Sequence, residues 1–391
     1  MRTTAGSLLY SEFVPREDAA VVQRLRRAGA VIMGKTNLVE FAYSPCDEYH
    51  DLFGPTRNPW DLRRFPGASS NGSAAATAAG IVPLAIGSDT GGSVRTPASF
   101  CGLTGLMPTA GLVSRYGQMT LAQSLDTVGL LARTADDCGL LLDALIGLDR
   151  RDTMSVRTPY EARSSTQLPR FEGLRFGVLR GFPFADLQTD VGRAVDSAIR
   201  ALEDLGGRVE DVAVPGLEHD AHDAMLILAA EASASHRVAM QEHPDKILPA
   251  IRSKLEDGFK VTAVDYLGAL EARARVRRAL QDLLRQVDVL VTPTCDTTAP
   301  LMSAEGRILE PPPYLVNGRP SSRVIFNLAR LPALSIPCGF DELNLPIGIQ
   351  FAGPPFADRR LLAVARTFQK STRWHNQHPP IADSTMPIEY P

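Results

Sequence analysis

The chain has 391 residues, of which 44% are hydrophobic and 22% charged, and its formal net charge at pH 7 is −3. This balance is typical of a globular protein with a large buried core. A slightly negative total charge gives no long-range attraction to nucleic acid or to acidic membranes. No uninterrupted apolar stretch reaches about 18 residues, so we expect no membrane-spanning helix.

The cysteine content bears on compartment and on metal binding. The five cysteines are Cys46, Cys101, Cys138, Cys295 and Cys338. Their number is odd and none belongs to a CxxC pair, which argues against a disulfide framework and against a zinc site. The first residues also lack the apolar run of a secretory signal. We therefore expect a reducing compartment, the cytoplasm, and no metal.

The first third of the chain alternates short helices and strands. Residues 21–25 have the apolar spacing of one helix face, and the apolar residues 30–33 predict a short strand. Residues 82–86 predict a buried strand. They run into residues 87–93, which are too rich in glycine to predict regular structure.

The rest of the chain continues this alternation. Residues 176–179, 190–205 and 209–214 predict a strand, a helix and a returning strand, a unit whose strands pair in parallel. Residues 220–287 are helical, polar and rich in arginine, and predict a peripheral lobe. Further strands are expected within 288–351, followed by a helix from residue 358 to about 370. The pattern predicts an α/β fold with a mixed or mostly parallel sheet covered by helices.

The most informative stretch of the chain is glycine-rich and ends in a serine. The glycines just before Ser93 let the backbone turn sharply and leave its N–H groups uncovered. Such N–H groups can converge on the oxyanion of a tetrahedral intermediate, and a serine at the end of the loop can accept an acyl group. Asp89 and Arg95 flank the loop, and we interpret them as an ion pair that braces it.

Residues 66–109 resemble the amidase signature family through the elements PGASSNGSAAATAAG and GSDTGGSVRTPASFCGLTGLMPT. The resemblance implies that Ser93, the serine of the family's GGS(I/V)R element, is the nucleophile. It implies that Ser69, 24 residues earlier, follows a cis peptide and relays a proton between the nucleophile and a lysine. Ala68 and Asn71 stand where the family has glycine, which leaves the cis geometry open.

The oxyanion hole of that family consists of backbone N–H groups in the loop before the nucleophile. The resemblance places these donors at Thr90, Gly91 and Gly92, together with Ser93 itself. The reaction that it implies needs neither a metal nor a cofactor, and its substrate is a small-molecule amide.

The resemblance covers residues 1 to about 150 and 288 to about 380. It implies a single amidase signature domain over 1–391, with a large mixed β-sheet core covered on both faces by helices. Residues 1–150 are the catalytic signature core, 151–287 a variable and mostly helical part, and 288–380 the C-terminal part of the sheet.

One departure from the family concerns the base. The family's catalytic lysine lies in a KDN-like element upstream of the TTAGS block, which here is residues 3–7, so its position falls before Met1. The family's N-terminal helices are absent as well. Lys35 belongs to the GKTN element and is not the family base. We therefore expect impaired activity in the chain as given, and recovery when the chain is extended upstream.

Three functions remain open at this point. The first is a stand-alone amidase that works through an acyl-enzyme. The second is the glutamine-hydrolysing A subunit of a tRNA-dependent amidotransferase, and the third is an inactive scaffold with an amidase fold. No GxSxG nucleophile elbow is present, which argues against a Ser-His-Asp hydrolase. We expect no direct nucleic-acid or membrane partner, and we consider a homodimer.

Overall fold

The structure is a computed structural model, and it describes residues 1–43, 49–50, 52–157, 168–312 and 319–380. Cys46 therefore lies outside the described residues. None of the helices within these ranges is both long enough and apolar enough to cross a bilayer.

Eight strands form one mixed sheet. They are β1 (Leu84–Asp89), β2 (Thr104–Met107), β3 (Thr127–Ala132), β4 (Arg175–Leu179), β5 (Arg208–Val212), β6 (Val289–Pro293), β7 (Ala333–Phe340) and β8 (Pro346–Ala352). Their order across the sheet is β1-β3-β2-β7-β8-β6-β4-β5. The two pairs that β4 forms with β5 and β6 are parallel, and the other neighbours are antiparallel. The sheet is thus mixed, and the predicted parallel β-α-β unit is confirmed.

The α-helices are α1 (Ala20–Arg27), α2 (Asn71–Ala78), α3 (Arg95–Cys101), α4 (Ala135–Leu145), α5 (Thr189–Asp204), α6 (Leu217–Ala224), α7 (Leu226–Ser235), α8 (Arg237–Glu242), α9 (Pro249–Phe259), α10 (Ala263–Gln286), α11 (Val324–Ala329) and α12 (Asp358–Thr372). Short 3₁₀ helices occur at Leu8–Tyr10, Glu40–Ala42, Phe182–Phe184, Pro244–Lys246 and Trp374–Asn376. The predicted helical lobe corresponds to α6–α10.

Helices cover both faces of the sheet, as the alternation of side chains along each strand requires. In β2, Leu106 points into a buried cluster formed with α4, α5 and α12. Its neighbour Met107 points the other way, into a cluster formed with α10 and α11. The first and last parts of the chain meet directly where β2 pairs with β7. The expected architecture, a mixed sheet between helical layers, is confirmed.

Two local predictions differ from the structure. Residues 30–33 form no strand, and the side chains of Val31 and Met33 are exposed, by 81% and 71%. Strand β1 begins at Leu84 and continues to Asp89, through residues whose glycine content predicts no regular structure. The antiparallel partner β3 explains this, because the pairing extends as far as Asp89 opposite Thr127. An apolar run becomes a strand only where a partner accepts its hydrogen bonds.

Candidate active site

The candidate nucleophile lies between the end of β1 and the start of α3. Ser93 is buried to all but 7% of its surface, and Ser69 to all but 1%. The N–H of Ser70 donates to the carbonyl oxygen of Ser93 at 3.1 Å, which brings the segments of both predicted serines together. The Ala68–Ser69 peptide is cis even though Ala68 carries a side chain.

Helix α2 holds the Ser69 segment against β1 through two further serines. Ser70 Oγ accepts from the N–H of Ser88 at 3.2 Å, and Ser73 Oγ donates to the carbonyl oxygen of Ile86 at 2.8 Å. The close approach to β1 depends on a glycine in the strand, because a Cβ at Gly87 would lie 2.4 Å from Ser70 Oγ. A Cβ at Gly72 would lie 2.5 Å from the carbonyl oxygen of Asn37. These serines therefore anchor the helix beside the site.

Asp89 organises the loop that carries Ser93. Its carboxylate accepts from the N–H of Gly92 at 2.8 Å and of Val94 at 3.1 Å, and it pairs with Arg95 at 2.8 Å. Burial raises the pKa of Asp89, but the charge of Arg95 and the hydrogen bonds from Arg95, Asn327 and Val94 outweigh it and bring the pKa to about 2. The bracing ion pair interpreted from the sequence is present, and both of its side chains are fully buried.

The loop contains backbone donors that are still available. Within the described ranges, the N–H groups of Thr90, Gly91 and Ser93 have no hydrogen-bond acceptor, whereas the N–H of Gly92 donates to Asp89. Gly92 has a φ of +118°, which only glycine adopts easily. The family resemblance places Gly92 among the oxyanion donors. In this structure its N–H is engaged inside the loop instead.

A buried polar network links the loop to the C-terminal part of the chain. Arg95 donates to Asn327 Oδ1 and to Gln350 Oε1, both at 2.6 Å. Asn327 Nδ2 in turn donates to Asp89 Oδ1 at 2.9 Å. Asn327 and Gln350 were missed by sequence reasoning. The available signal was a glutamine within the otherwise apolar strand β8.

A second carboxylate holds the first residue of the loop. Thr90 Oγ1 donates to Asp126 Oδ1 at 2.7 Å, and Asp126 also accepts from the N–H groups of Leu121 and Ala122. Burial raises the pKa of Asp126 in spite of these bonds. Asp126 lies directly before β3, the partner of β1, and sequence reasoning missed its role as well.

An arginine directly before α11 packs against the loop. The side chain of Arg323 packs on Gly92 so closely that a Cβ at Gly92 would lie 2.7 Å from Arg323 Cδ. Arg323 is 2% exposed, and its Nη1 donates to the carbonyl oxygen of Thr294, which follows β6. The missing side chain of Gly92 is therefore what lets this arginine reach the loop.

The structure places the amine of Lys35 beside Thr3, near the start of the chain. Lys35 Nζ donates to Thr3 Oγ1 at 2.6 Å, and burial lowers the pKa of Lys35. The hydroxyl oxygen of Ser69 is buried and has no hydrogen-bond partner in the described part of the chain. Groups that could hold a metal ion, meaning three or more His, Cys, Asp or Glu side chains together, do not occur among the described residues.

This geometry defines the class of protein. A buried serine follows a loop of available N–H groups on a mixed sheet, and a second serine segment is bonded to it. A family model described as Amidase matches residues 1–362. The chain therefore belongs to the amidase family and is a hydrolase that acts on carbon–nitrogen bonds.

The proteins similar to this chain include both A subunits of glutamyl-tRNA(Gln) amidotransferase and a hydrolase of a cyclic dimer. The chain is 38% identical to the A subunit of glutamyl-tRNA(Gln) amidotransferase from Moorella thermoacetica, over 97% of this chain and 81% of that protein. The crystal structure of the same enzyme's A subunit from Thermotoga maritima superposes with a TM-score of 0.81 and 36% identity, covering 95% of this chain and 80% of that one. The 6-aminohexanoate cyclic dimer hydrolase with bound substrate superposes with a TM-score of 0.86 and 29% identity, covering 98% and 84%.

Proposed function

We propose that the chain hydrolyses a non-peptide carboxylic amide through an acyl-enzyme on Ser93. The observation that carries this proposal is the combination of Ser93 with the available N–H groups of Thr90, Gly91 and Ser93 in one braced loop. Because Asp89 and Arg323 hold Gly92 from both sides, the donors are positioned before a substrate arrives. Preorganised donors of this kind contribute about 3–4 kcal/mol each to transition-state stabilisation.

The reaction proceeds in two halves. Ser93 Oγ attacks the amide carbon, the carbonyl electrons move onto oxygen, and the N–H groups of the loop hold that oxyanion. The proton of Ser93 passes to the leaving nitrogen through the hydroxyl of Ser69, which makes no hydrogen bond among the described residues and so has to come within reach of Ser93 in the substrate complex. The C–N bond then breaks as ammonia or an amine departs. Water then attacks the acyl-enzyme, returns a proton to Ser93 and releases the carboxylic acid.

This mechanism needs a base that takes the proton of Ser93. A serine hydroxyl is a weak nucleophile at neutral pH unless a base takes its proton. Ser69 Oγ meets no base among the described residues, and Lys35 Nζ is engaged with Thr3. We infer that hydrolysis by this polypeptide is impaired and that a base delivered beside Ser69 accelerates it.

The reaction is tested with a panel of small amides that differ in their acyl group. Release of acid and of ammonia or amine is followed for the wild type and for Ser93→Ala and Ser69→Ala. Turnover that disappears in Ser93→Ala and falls in Ser69→Ala supports the proposal. Turnover that survives Ser93→Ala, or no turnover with any amide under any condition, contradicts it.

A second candidate is the glutamine-hydrolysing A subunit of a tRNA-dependent amidotransferase. It is favoured by the relatives that carry this name, which are 37–39% identical over nearly the whole chain. Glutaminase activity that appears only with the other components of such a complex would support this reading. Hydrolysis of simple amides by the isolated chain, with no activity on glutamine, would support the stand-alone reading.

The remaining proposals concern the partner, the domain organisation, the assembly and the cellular compartment. We propose a small-molecule amide as the partner, no direct contact with nucleic acid, a single domain over 1–391, and a homodimer as the assembly to test. Four cysteines of the described residues are buried free thiols, Cys101, Cys138, Cys295 and Cys338. Free thiols fit a reducing compartment, so we propose the cytoplasm.

A further inference from the structure

The residue opposite Thr90 across the sheet is a buried aspartate. The ladder between β1 and β3 ends with Asp89 opposite Thr127, so the next residues along, Thr90 and Asp126, also face each other. Their side chains meet directly, because Thr90 Oγ1 donates to Asp126 Oδ1 at 2.7 Å. Asp126 is 5% exposed and Thr90 is 3% exposed. The first residue of the nucleophile loop is therefore tied to a residue outside that loop.

A short turn holds the carboxylate of Asp126 in place. Its Oδ2 accepts from the N–H of Leu121 at 2.9 Å, and its Oδ1 accepts from the N–H of Ala122 at 3.1 Å. A side chain whose oxygens are engaged in this way is locked in one rotamer. The position of the Thr90 hydroxyl therefore follows from the position of the turn 121–126.

The helical lobe fixes the turn 121–126 through Ser124. Glu231 of α7 accepts from the N–H of Ser124 at 2.8 Å. Arg273 of α10 donates to the hydroxyl of Ser124 at 2.8 Å and to its carbonyl oxygen at 3.1 Å. Side chains from two helices thus hold the middle of the turn, so the carboxylate of Asp126 has a firm support.

Thr90 is held by its side chain, whereas its N–H has no acceptor within the described ranges. Two residues further on, the N–H of Gly92 is held by Asp89. The segment that carries the N–H groups of Thr90 and Gly91 is therefore fixed at both ends. Donors to an oxyanion are effective when they are oriented before the charge develops.

We propose that Asp126 is a positioning residue, which orients the N–H of Thr90 toward the oxyanion by holding the hydroxyl of the same threonine. The role rests on the proposed acyl transfer to Ser93, since it assigns a support to one donor of that reaction. Loss of this support is expected to slow modification of Ser93 about 10- to 100-fold, because displacements of about 1 Å have effects of this size.

A cavity gives small ions access to Asp126. Its volume is about 210 Å³, and Asp126 lines it together with Arg115 and Thr153. The guanidinium of Arg115 donates to the carbonyl oxygen of Asp126 at 3.4 Å, so a positive charge lies beside this carboxylate. In Asp126→Ala the space of the missing carboxylate joins the cavity. Formate can then enter and accept from the hydroxyl of Thr90 in its place.

The test measures the rate at which a fluorophosphonate probe modifies Ser93. Asp126→Ala and Thr90→Val should both be slow, whereas Thr90→Ser keeps the hydroxyl and should react at close to the wild-type rate. Formate should accelerate Asp126→Ala saturably and leave Thr90→Val slow, because valine has no hydroxyl to donate. The matched controls are the exposed residues Asp196 and Thr153, since Asp196→Ala and Thr153→Val should react like the wild type.

Two results would overturn the role of Asp126. One is a wild-type rate in Thr90→Val, and the other is formate that fails to accelerate a folded Asp126→Ala. If Asp126→Ala does not fold, the comparison of Thr90→Val with Thr90→Ser decides, because these variants differ in the hydroxyl and leave the carboxylate in place.

Hydrogen exchange tests the support without any reaction at Ser93. The N–H groups of Gly92 and Val94 donate to Asp89, so their exchange reports how firmly the loop is held. They should exchange faster in Thr90→Val than in Thr90→Ser, while the amides of β8 exchange equally in both. Equal exchange of the loop in both variants would reject the role of Asp126. The expected exchange in a wild-type chain that the probe leaves unmodified would reject only the proposed reaction.

Discussion

The backbone N–H of Gly92 donates to Asp89 Oδ1 at 2.8 Å, so the residue directly before Ser93 is held by a buried carboxylate. The same glycine lies under the side chain of Arg323. The loop is therefore fixed by Asp89 from β1 and by Arg323 from the segment before α11, while the neighbouring N–H groups stay available. Substitutions that loosen this arrangement should reduce reactivity at Ser93 before they change the fold.

The two glycines of the loop should respond very differently to alanine. At Gly92 a Cβ would lie 2.7 Å from Arg323 Cδ, and φ is +118°. At Gly91 the nearest atom is Val324 Cγ2 at 3.7 Å, and alanine keeps the N–H. We expect Gly92→Ala to slow acylation of Ser93 about 10²-fold, because small displacements of reacting groups have effects of this size.

Gly91→Ala is the matched control and should stay within about threefold of the wild type, since it adds only ordinary van der Waals contact. The rate of acylation by a serine-directed probe measures both variants, and thermal unfolding checks that each is folded. Equal rates for the two variants would show that the close packing on Gly92 does not position the loop.

Asp89 should make stability depend on pH at the acid end. Its pKa is held at about 2 in the folded protein, below the ordinary value of 3.8. A depressed pKa contributes stability that is complete above the unfolded value and is lost as the pH falls from about 4 through about 2. The full shift corresponds to about 2 kcal/mol, of which about half, roughly 1 kcal/mol, is lost between pH 5 and pH 3 and is measurable as unfolding free energy in denaturant.

Asp89→Asn removes this contribution and leaves Arg95 buried without its counter-charge. We expect a loss of about 3–5 kcal/mol at pH 7, and a difference from the wild type that shrinks below pH 4. The exposed Asp245, changed to asparagine, is the control and should change neither quantity. A difference between Asp89→Asn and the wild type that stays constant from pH 7 to pH 3 would contradict this account.

Asn327 should act as a positioning residue for the loop. It donates to Asp89 and accepts from Arg95, both buried. Asn327→Ala should cost about 2–3 kcal/mol in unfolding free energy, because hydrogen bonds to charged groups are lost. It should also slow probe acylation. Asn327→Asp keeps the acceptor for Arg95 but repels Asp89, so acylation should be slower still.

The exposed Asn376 offers a control for this pair, and Asn376→Ala should leave both measurements unchanged. Unfolding free energies separate a general loss of stability from a local effect on the loop. If both Asn327 variants acylate at the wild-type rate, the network does not position the loop.

A small amine should rescue proton transfer at Ser69. The hydroxyl of this serine is buried, with no partner in the described part of the chain. General acid–base catalysis contributes about 10²- to 10⁴-fold, so methylamine or ethylamine should accelerate cleavage measurably. The rate should saturate with amine and rise with pH as the fraction of free base grows. The readout is release of the leaving group.

Two controls define the amine effect. Tetramethylammonium, which accepts no proton, should give no acceleration. Ser69→Ala should lose the acceleration, because the relay hydroxyl is gone. Equal acceleration of amide cleavage in Ser69→Ala and in the wild type would show that the amine does not act through Ser69. Ser69 would then not be the proton relay.

The sequence predicts the local units of this protein better than its long-range contacts. The β4-α5-β5 unit follows from periodicity, and the pairing of Asp89 with Arg95 follows from their proximity in the chain. Residues 30–33 show the limit of this reasoning, since an apolar run does not reveal whether a partner strand exists.

The partners that complete the site come from far along the chain. Arg95 meets Asn327 and Gln350 across separations of 232 and 255 residues. These contacts depend on β2 pairing with β7, which no local pattern specifies. Periodicity identifies the strands but not their order in the sheet, so the loop could be predicted and its supports could not.

Covalent labelling of the wild-type chain by a fluorophosphonate probe, with the adduct located by mass spectrometry, tests whether Ser93 is the reactive serine. We expect one adduct, on Ser93, that is absent from Ser93→Ala and forms more slowly in Ser69→Ala and Gly92→Ala. An unlabelled wild-type protein, which is what an inactive scaffold would give, or labelling that persists in Ser93→Ala, would contradict it.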